Sequence, residues 1–470
     1  MCDITFCNKI SFQRFYKCFL LIIGFVALFS SCKVGEKYSR PELGLPDKLE
    51  EMSIDSLTID DISWWQLYTD TVLQQLISEA LENNKDVLIA SARLKQYMAA
   101  KRIASADLFP HLGADLHAER EIENFGGDNQ EGTTELNLRA SLTWEIDLWG
   151  NIRWGREAAI ANYLATKEGQ RALQMSIVAE VADVYFTLVA QYDELDIVNQ
   201  TIIARKEGVR LADLRFTGGL TSETSVQQAE VELAKTMTLR PVLERNIRLS
   251  KNKLALLLGT YDSDVKNNID LENQAIPEHL PSGIPAQLLE RRPDIREAEQ
   301  RLIAANATVG VATTNRFPTL SLTGRFGREN DELDELLKSP YWFIAGDLLA
   351  PIFQAGKLKA RQKEAEALLE QEIYAYQRSV LQAFQEANTA IMTFRKAREV
   401  YIAQSNLESA SRKYQRLAEL QYLNGVISYL DLLDAQRSLL DAEIQRNNAK
   451  RDELLSMVYL YKALGGGWNN

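Results

Sequence analysis

SIVAEVADVYFTLVAQYDELDIVNQTIIARKEGV, residues 176–209, decides the fold. Within it Ile177, Val181, Val184, Leu188, Gln191, Leu195, Val198, Ile202, Arg205 and Val209 follow one another at alternating steps of four and three, and only Gln191 and Arg205 are polar. This is a 3.5-residue period, the seam of a coiled coil rather than the broader stripe of a globular helix. The surrounding helical pattern runs from about Gly155 to Phe216, which at 1.5 Å per residue predicts a rod on the order of 90 Å long.

A second rod matches the first. Ile373, Tyr376, Val380, Ala383, Ala387, Ala390, Phe394, Ala397, Tyr401 and Gln404 repeat the stepping inside a run from about Gly356 to Tyr422. The flanks repeat as well. Asp86, Arg93, Phe109 and Pro110 fall on Asp294, Arg301, Phe317 and Pro318 at an offset of 208. Gly150, Glu180, Gly219, Ser222 and Gly259 fall on Gly356, Glu386, Gly425, Ser428 and Gly465 at an offset of 206. The chain reads as a tandem duplication.

Outward from the rods the period changes to two. Leu112, Ala114, Leu116 and Ala118 alternate with His111, Gly113, Asp115 and His117. After a loop from about Ile122 to Thr134, a cleaner strand sets Leu136, Leu138, Ala140, Leu142, Trp144, Ile146 and Leu148 against polar residues. That length exceeds the roughly 5 to 6 residues of an average soluble strand and suits a tilted membrane strand. Trp144, Trp149 and Trp154 gather toward its end, a placement that fits either an interfacial girdle or simple packing. In the second half Leu320, Leu322 and Phe326 alternate with polar residues, a charged loop follows, and a fourth strand spans about Tyr341 to Phe353.

Each copy is therefore helix, strand, loop, strand, very long helix, turn, helix. The first helix is expected to run unbroken from Trp64 until Pro110 stops it. Gly218 and Gly219 in one copy and Gly425 in the other fit helix reversals, with Ser222 and Ser428 as amino-terminal caps of the return helices. Pro241 is expected to bend the first return helix. The predicted boundaries are 76–259 for the first repeat, 260–285 for a Pro-rich linker, 286–465 for the second repeat and 466–470 for a tail.

At the amino terminus Lys9, Arg14 and Lys17 precede the apolar run Phe19 to Phe29, the order of a secretory signal over residues 1–31. Cys2, Cys7 and Cys18 lie within it. Leu28-Phe29-Ser30-Ser31-Cys32 resembles a bacterial lipobox, with Phe29 in the place of the usual Leu, and so assigns Cys32 as a lipid attachment site at the head of a tether, residues 32–75.

With 53 Lys+Arg against 65 Asp+Glu and a net charge of −12, the composition argues against a nucleic-acid partner. No stretch reaches the roughly 18 to 20 apolar residues of a membrane-spanning helix. Of three histidines, His111 and His117 share a strand face and His279 sits in the linker. There is no HExxH, phosphate-binding loop or nucleophile elbow, so neither an enzyme nor a metal or cofactor site is expected.

Four amphipathic strands in one chain pose a problem, because an open sheet in a bilayer leaves its edges without hydrogen-bond partners. Closure takes at least eight strands or so, which requires several chains to share one barrel. The strands and rods then belong to one α+β membrane protein, in which duplicated β-hairpins build the barrel and coiled-coil helices continue it.

The chain resembles the TolC-like outer membrane factors, and within them the lipoprotein branch that serves tripartite efflux pumps. Tyr38-Ser39-Arg40-Pro41, Trp144-Glu145-Ile146-Asp147-Leu148-Trp149-Gly150, Arg291-Arg292-Pro293-Asp294, Phe317-Pro318 and Leu433-Asp434-Ala435-Gln436 carry the resemblance. It implies a homotrimer with a twelve-stranded β-barrel, four strands per chain, continued by a periplasmic α-helical barrel. It also implies a lipid anchor in the outer membrane, a periplasmic adaptor and an inner-membrane pump of the RND type. In that family the inner hairpin tips close the periplasmic end. The matching residues are Tyr422, Leu430, Asp431, Leu433 and Asp434, with the two carboxylates expected as rings whose crowding raises some of their pKa values, and the two leucines as an apolar constriction. The adaptor is expected at the tips around Gly218, Gly219, Ser222, Gly425 and Ser428. A protein-secretion duct and a non-conducting periplasmic scaffold are the competing readings.

Overall fold

The computed structural model describes residues 33–44, 68, 70–123, 131–262, 271 and 291–466. Cys32, the signal, His279 and most of the linker lie outside these residues. The elements in order are α1 (Thr71–Asn83), α2 (Lys85–Ala106), β1 (His111–Glu123), β2 (Glu131–Ile146), α3 (Asn151–Thr217), α4 (Glu223–Leu258), α5 (Pro293–Thr314), β3 (Thr319–Asn330), a 3-10 turn (Leu336–Lys338), β4 (Pro340–Leu349), α6 (Lys357–Leu423) and α7 (Tyr429–Ala463). They divide into two compact units. One takes Met1–Glu42, Leu94–Thr166 and Glu297–Gln377 and holds the sheet; the other takes Leu43–Arg93, Lys167–Arg296 and Arg378–Asn470 and is helical.

The long helices of the two copies, α3 and α6, are each 67 residues. Along the α3 seam Val181, Leu188 and Val198 are fully buried. The two polar seam residues both meet α4: Gln191 Oε1 accepts from Ser250 Oγ at 2.9 Å, and Arg205 Nη1 donates to Glu232 Oε2 at 3.0 Å. In contrast with the sequence expectation, α3 contains a window long and apolar enough by composition to cross a membrane. Most of that window is buried against other helices, so the coiled-coil core accounts for its hydropathy.

Three glycine pairs verify the duplication in the backbone. Gly150 and Gly356, at the heads of the long helices, have φ of 86° and 81°; Gly219 and Gly425, in the reversals, 72° and 74°; Gly259 and Gly465, after the return helices, 72° and 75°. All three conformations favour glycine. At Gly259 a Cβ would also strike the Asn83 backbone, and at Gly465 it would press on Arg292 and the Arg291 carbonyl carbon. Side chains repeat the same junction: Asn84 Nδ2 donates to Leu257 O at 2.9 Å, and Arg292 Nη1 to Ala463 O at 2.9 Å.

Asn84 also corrects the first helix. Rather than one run to Pro110 there are two helices, because Asn84 leaves the helical conformation and its Oδ1 accepts from the amides of Asp86 and Val87, starting α2 afresh. The tryptophans resolve toward packing. Trp144 Nε1 donates to Leu108 O, Trp149 Nε1 to Pro318 O and Trp154 Nε1 to Val34 O, and Trp154 is 1% exposed. A girdle needs indoles free to face headgroups, which these are not.

The sheet runs β1-β2-β3-β4, antiparallel throughout. Its register sorts the side chains into two faces. Leu112, Ala114, Leu116 and Ala118 lie opposite Leu142, Ala140, Leu138 and Leu136. Ala140, Trp144 and Ile146 lie opposite Phe326, Leu322 and Leu320, which in turn face Trp342, Gly346 and Leu348. The other face carries His111, Asp115, His117, Arg139, Ser141, Thr143, Ser321, Thr323, Arg325 and Asp347.

Candidate functional site

The residues singled out in the sequence gather in two regions, the sheet and the hairpin tips. On the apolar face Leu112 is 80% exposed, Phe326 70% and Trp342 72%. A sheet in water does not present such a face across all four strands; in a bilayer the same residues are favourable. Among the described residues the outer edges of β1 and β4 have no strand partner. A hydrocarbon surround forbids such edges. On the polar face Arg139 pairs with Asp115 at 3.4 Å and His117 with Glu119 at 3.0 Å, while His111 lines a cleft of about 530 Å³ with Asp107, Glu145 and Arg156. Among the described residues no three His, Cys, Asp or Glu side chains gather as a metal would need.

The tips form around one apolar cluster. Ala212, Val226 and Ala229 come from the first hairpin, and Ala418, Tyr422, Tyr429, Leu432, Leu433 and Ala435 from the second. Alanines at four of these positions let the helices approach closely enough for the two tyrosines to fill the space between them. The rings of Tyr422 and Tyr429 lie 5.4 Å apart. Over the Tyr422 ring, 4.7 Å from its centroid, sits the guanidinium of Arg215 from α3, whose Nη1 donates to Tyr422 O at 3.4 Å.

Behind this cluster, on the side away from the reversals, comes a charged layer. Glu232 on α4 accepts from Arg437 on α7 at 2.6 Å, from Lys235 at 3.0 Å and from Arg205 on α3 at 3.0 Å. The Arg437 hydrogen bond above all, working against burial, holds its carboxyl down at about 2. Burial of Arg205 pushes that guanidinium's pKa down, and the charge of Glu232 and its hydrogen bond are the largest opposing causes.

Of the residues singled out in the sequence, Tyr422 lies in the buried tip cluster. Leu430, 54% exposed, shares an outward face of α7 with Asp431 and Asp434. Leu433 does not: it is 1% exposed inside the cluster and lines no opening. It follows Leu430 at a three-residue step, which sets it around the helix toward the tip cluster shared with Ala229 and Ala435. Asp431 also differs from expectation. It closes a capping box, accepting the Ser428 amide at 3.0 Å and the Ser428 hydroxyl at 2.7 Å, and these hydrogen bonds, the hydroxyl first, hold its pKa down rather than up. Ser222 occupies the equivalent cap position but makes no side-chain cap bond: the Ser225 amide donates to the Ser222 carbonyl at 3.1 Å instead, and Ser225 itself offers no carboxylate to complete a capping box. Gly218, Gly219, Ser222, Gly425 and Ser428 are all exposed, and beside them stand Leu220 and Val426, at equivalent positions and 71% and 69% exposed.

Sequence reasoning missed Arg215, Glu232 and Arg437. Their signal was available as breaks in the repeat: at the offset of 206 the residues equivalent to Arg205, Arg215 and Glu232 are Ser411, Gln421 and Ser438, and Arg437 replaces Val231. The copies diverge in charge where they touch each other.

A family model described as outer membrane efflux protein matches residues 76–260 and 284–466. The solvent efflux pump outer membrane protein SrpC of Pseudomonas putida is 34% identical over 412 residues, covering 86% of this chain and 87% of that one. The pyoverdine export outer membrane protein OpmQ, from the same species, is 31% identical over 418 residues, 87% of this chain and 89% of its own. Among solved structures, the open state of the Neisseria gonorrhoeae MtrE outer membrane channel superposes with a TM-score of 0.86 at 30% identity, over 93% of this chain and 98% of that one.

Proposed function

We propose a function from one premise, that this chain belongs to the outer membrane efflux protein family. It is an outer membrane efflux channel component rather than an enzyme, with a barrel part and a helical part that extends into the periplasm. Beyond that we infer a passive exit duct made of three copies. Four strands per chain closed edge to edge give a twelve-stranded barrel, with β1 of one copy paired to β4 of the next. The observation that carries this reading is the sheet itself, apolar on one face, polar on the other, and unpaired at both edges.

Efflux relatives work in pumps, and the exposed reversals with Leu220 and Val426 suit a periplasmic adaptor that links the duct to an inner-membrane pump. Cys32 is the proposed lipid attachment. The residues after it are tied down in the sheet-bearing unit: Val34 N donates to Trp149 O at 3.0 Å, and Lys33 lies over the Trp154 ring and pairs with Glu157. Such a short tie to the start of α3 gives an acylated residue 32 a fixed entry point into the bilayer. At the tip, Tyr422 with its ring partners is the proposed closure, and the outward face of Leu430, Asp431 and Asp434 is the surface facing the opening. Carboxylates repeated around three copies favour cations there.

The test is planar-bilayer conductance of the full chain purified from outer membranes, with its mass determined in the same detergent. A trimer with small cation-selective conductance that rises in the Asp431→Ala/Asp434→Ala double variant is expected. A monomer or dimer without channel activity in either form would overturn the duct and favour a scaffold.

A further inference from the structure

We propose that the Tyr422 hydroxyl biases the packed tip toward opening, so that the ring and the hydroxyl of one residue pull in opposite directions. This deepens the gated-duct reading and rests on it for its functional consequence, though not for its physical content. The ring is a closing element, because it lies between Tyr429 and Arg215 inside the cluster that joins the two hairpins. The hydroxyl is another matter. Tyr422 is 3% exposed, and its Oη has neither accessible surface nor a hydrogen-bond partner.

A buried hydroxyl without a partner has given up its bonds to water and received nothing in return. Because the oxygen is enclosed within a single chain, a neighbouring copy or an adaptor at the surface cannot reach it while the tip stays packed. The same cluster holds a second such atom, Nε of Arg215, also buried and without a partner. Two unsatisfied polar atoms on the two residues that clasp the hairpins are unusual in a well-packed protein, where most buried polar groups are paired. Both find water as soon as the helices part. The packed state therefore carries a penalty that the parted state does not, and the balance between the two is closer than the apolar contacts alone would set it.

The consequence has a definite sign. Replacing the tyrosine by phenylalanine keeps ring stacking and removes the unsatisfied hydroxyl, which stabilises the packed tip; replacing it by alanine removes the ring and loosens the tip. Were the hydroxyl a closing hydrogen bond, both substitutions would loosen it. Full-length wild type, Tyr422→Phe and Tyr422→Ala are compared in detergent by hydrogen exchange of the peptides covering residues 418–435. Exchange about tenfold slower than wild type in Tyr422→Phe and faster in Tyr422→Ala is the expected pattern. Exchange in Tyr422→Phe equal to or faster than wild type overturns the proposal; equality would mean that an enclosed water already satisfies the oxygen. Bilayer recordings of the same three proteins separate this inference from the duct. Slowed exchange with no conductance in any variant leaves the hydroxyl's role intact and removes the channel, whereas conductance in Tyr422→Ala together with unslowed exchange in Tyr422→Phe does the reverse.

Discussion

Replacing Glu232 by glutamine removes the one negative charge that three cations share. Arg205 is the partner most affected, since it is 6% exposed and cannot turn to water. Breaking a buried ion pair by deleting one member costs about 3 to 5 kcal/mol, because the other charge stays behind unpaired. The pKa gives an independent figure. A depression from 4.5 to about 2 corresponds to about 3 kcal/mol, and water around the exposed ends of Arg437 and Lys235 screens this toward ~2 kcal/mol. Glu232 has its pKa lowered in the folded chain, so its contribution is full above pH 4.5 and drains away as the pH falls toward 2. Urea unfolding followed by helical circular dichroism should show Glu232→Gln less stable by about 2 to 5 kcal/mol per chain at pH 7, with the gap to wild type closing between pH 4.5 and 2. A gap below 1 kcal/mol at pH 7, or one that does not narrow in acid, would refute the reasoning, since the carboxylate would then be bearing no net load.

Ser428→Ala should cost about 1 kcal/mol of tip stability and speed amide exchange in the first turn of α7, whereas Ser222→Ala, which loses no side-chain cap bond, should leave α4 unchanged within a few tenths. Asp431→Ala should fray the same turn of α7, and combining it with Ser428→Ala should add little, because both dismantle one capping box; additive effects would mean two separate roles. Gly259→Ala should lower the melting temperature more than Gly219→Ala: both have positive φ, but only at Gly259 does the new Cβ meet the Asn83 backbone, while Gly219 faces open space. Cys32→Ala should abolish palmitate labelling and release the anchor while leaving Lys33 on Trp154, so that barrel assembly, read as a heat-labile trimer on gels, persists in detergent.

The rods, the strands and their duplication were legible because each rests on a period that one sequence states many times over. Ten seam positions in α3 leave little freedom, and β2 alternates over its whole length. What stayed hidden depends on single residues meeting across long separations. Asn84 splits a helix because its side chain reaches its own next turn and Leu257 at once, and nothing local distinguishes it from any other helical asparagine. Leu433 and Leu430 look alike in sequence; which one faces inward depends on how α7 packs against the other tip helices. Asp431 was singled out from its place in a family pattern, and its second role, closing a capping box with Ser428 three residues before it, went unread. Arg215, Glu232 and Arg437 were visible only as departures from the repeat, and a departure acquires meaning once the two copies are known to touch.

The central seam of the sheet joins β2, ending at Ile146, to β3, beginning at Thr319. Each outer hairpin can zip up from a short connection, but the middle ladder waits for the whole of α3, α4 and α5 to be synthesised and delivered. Until then the nascent protein carries the β1–β2 ribbon alone, and once β3 and β4 follow it carries two apolar ribbons with four raw edges through an aqueous compartment until the middle ladder closes. Folding of the helical portion thus sets the timetable for membrane entry, and a chain delayed there is exposed to aggregation for as long as its ribbons remain apart.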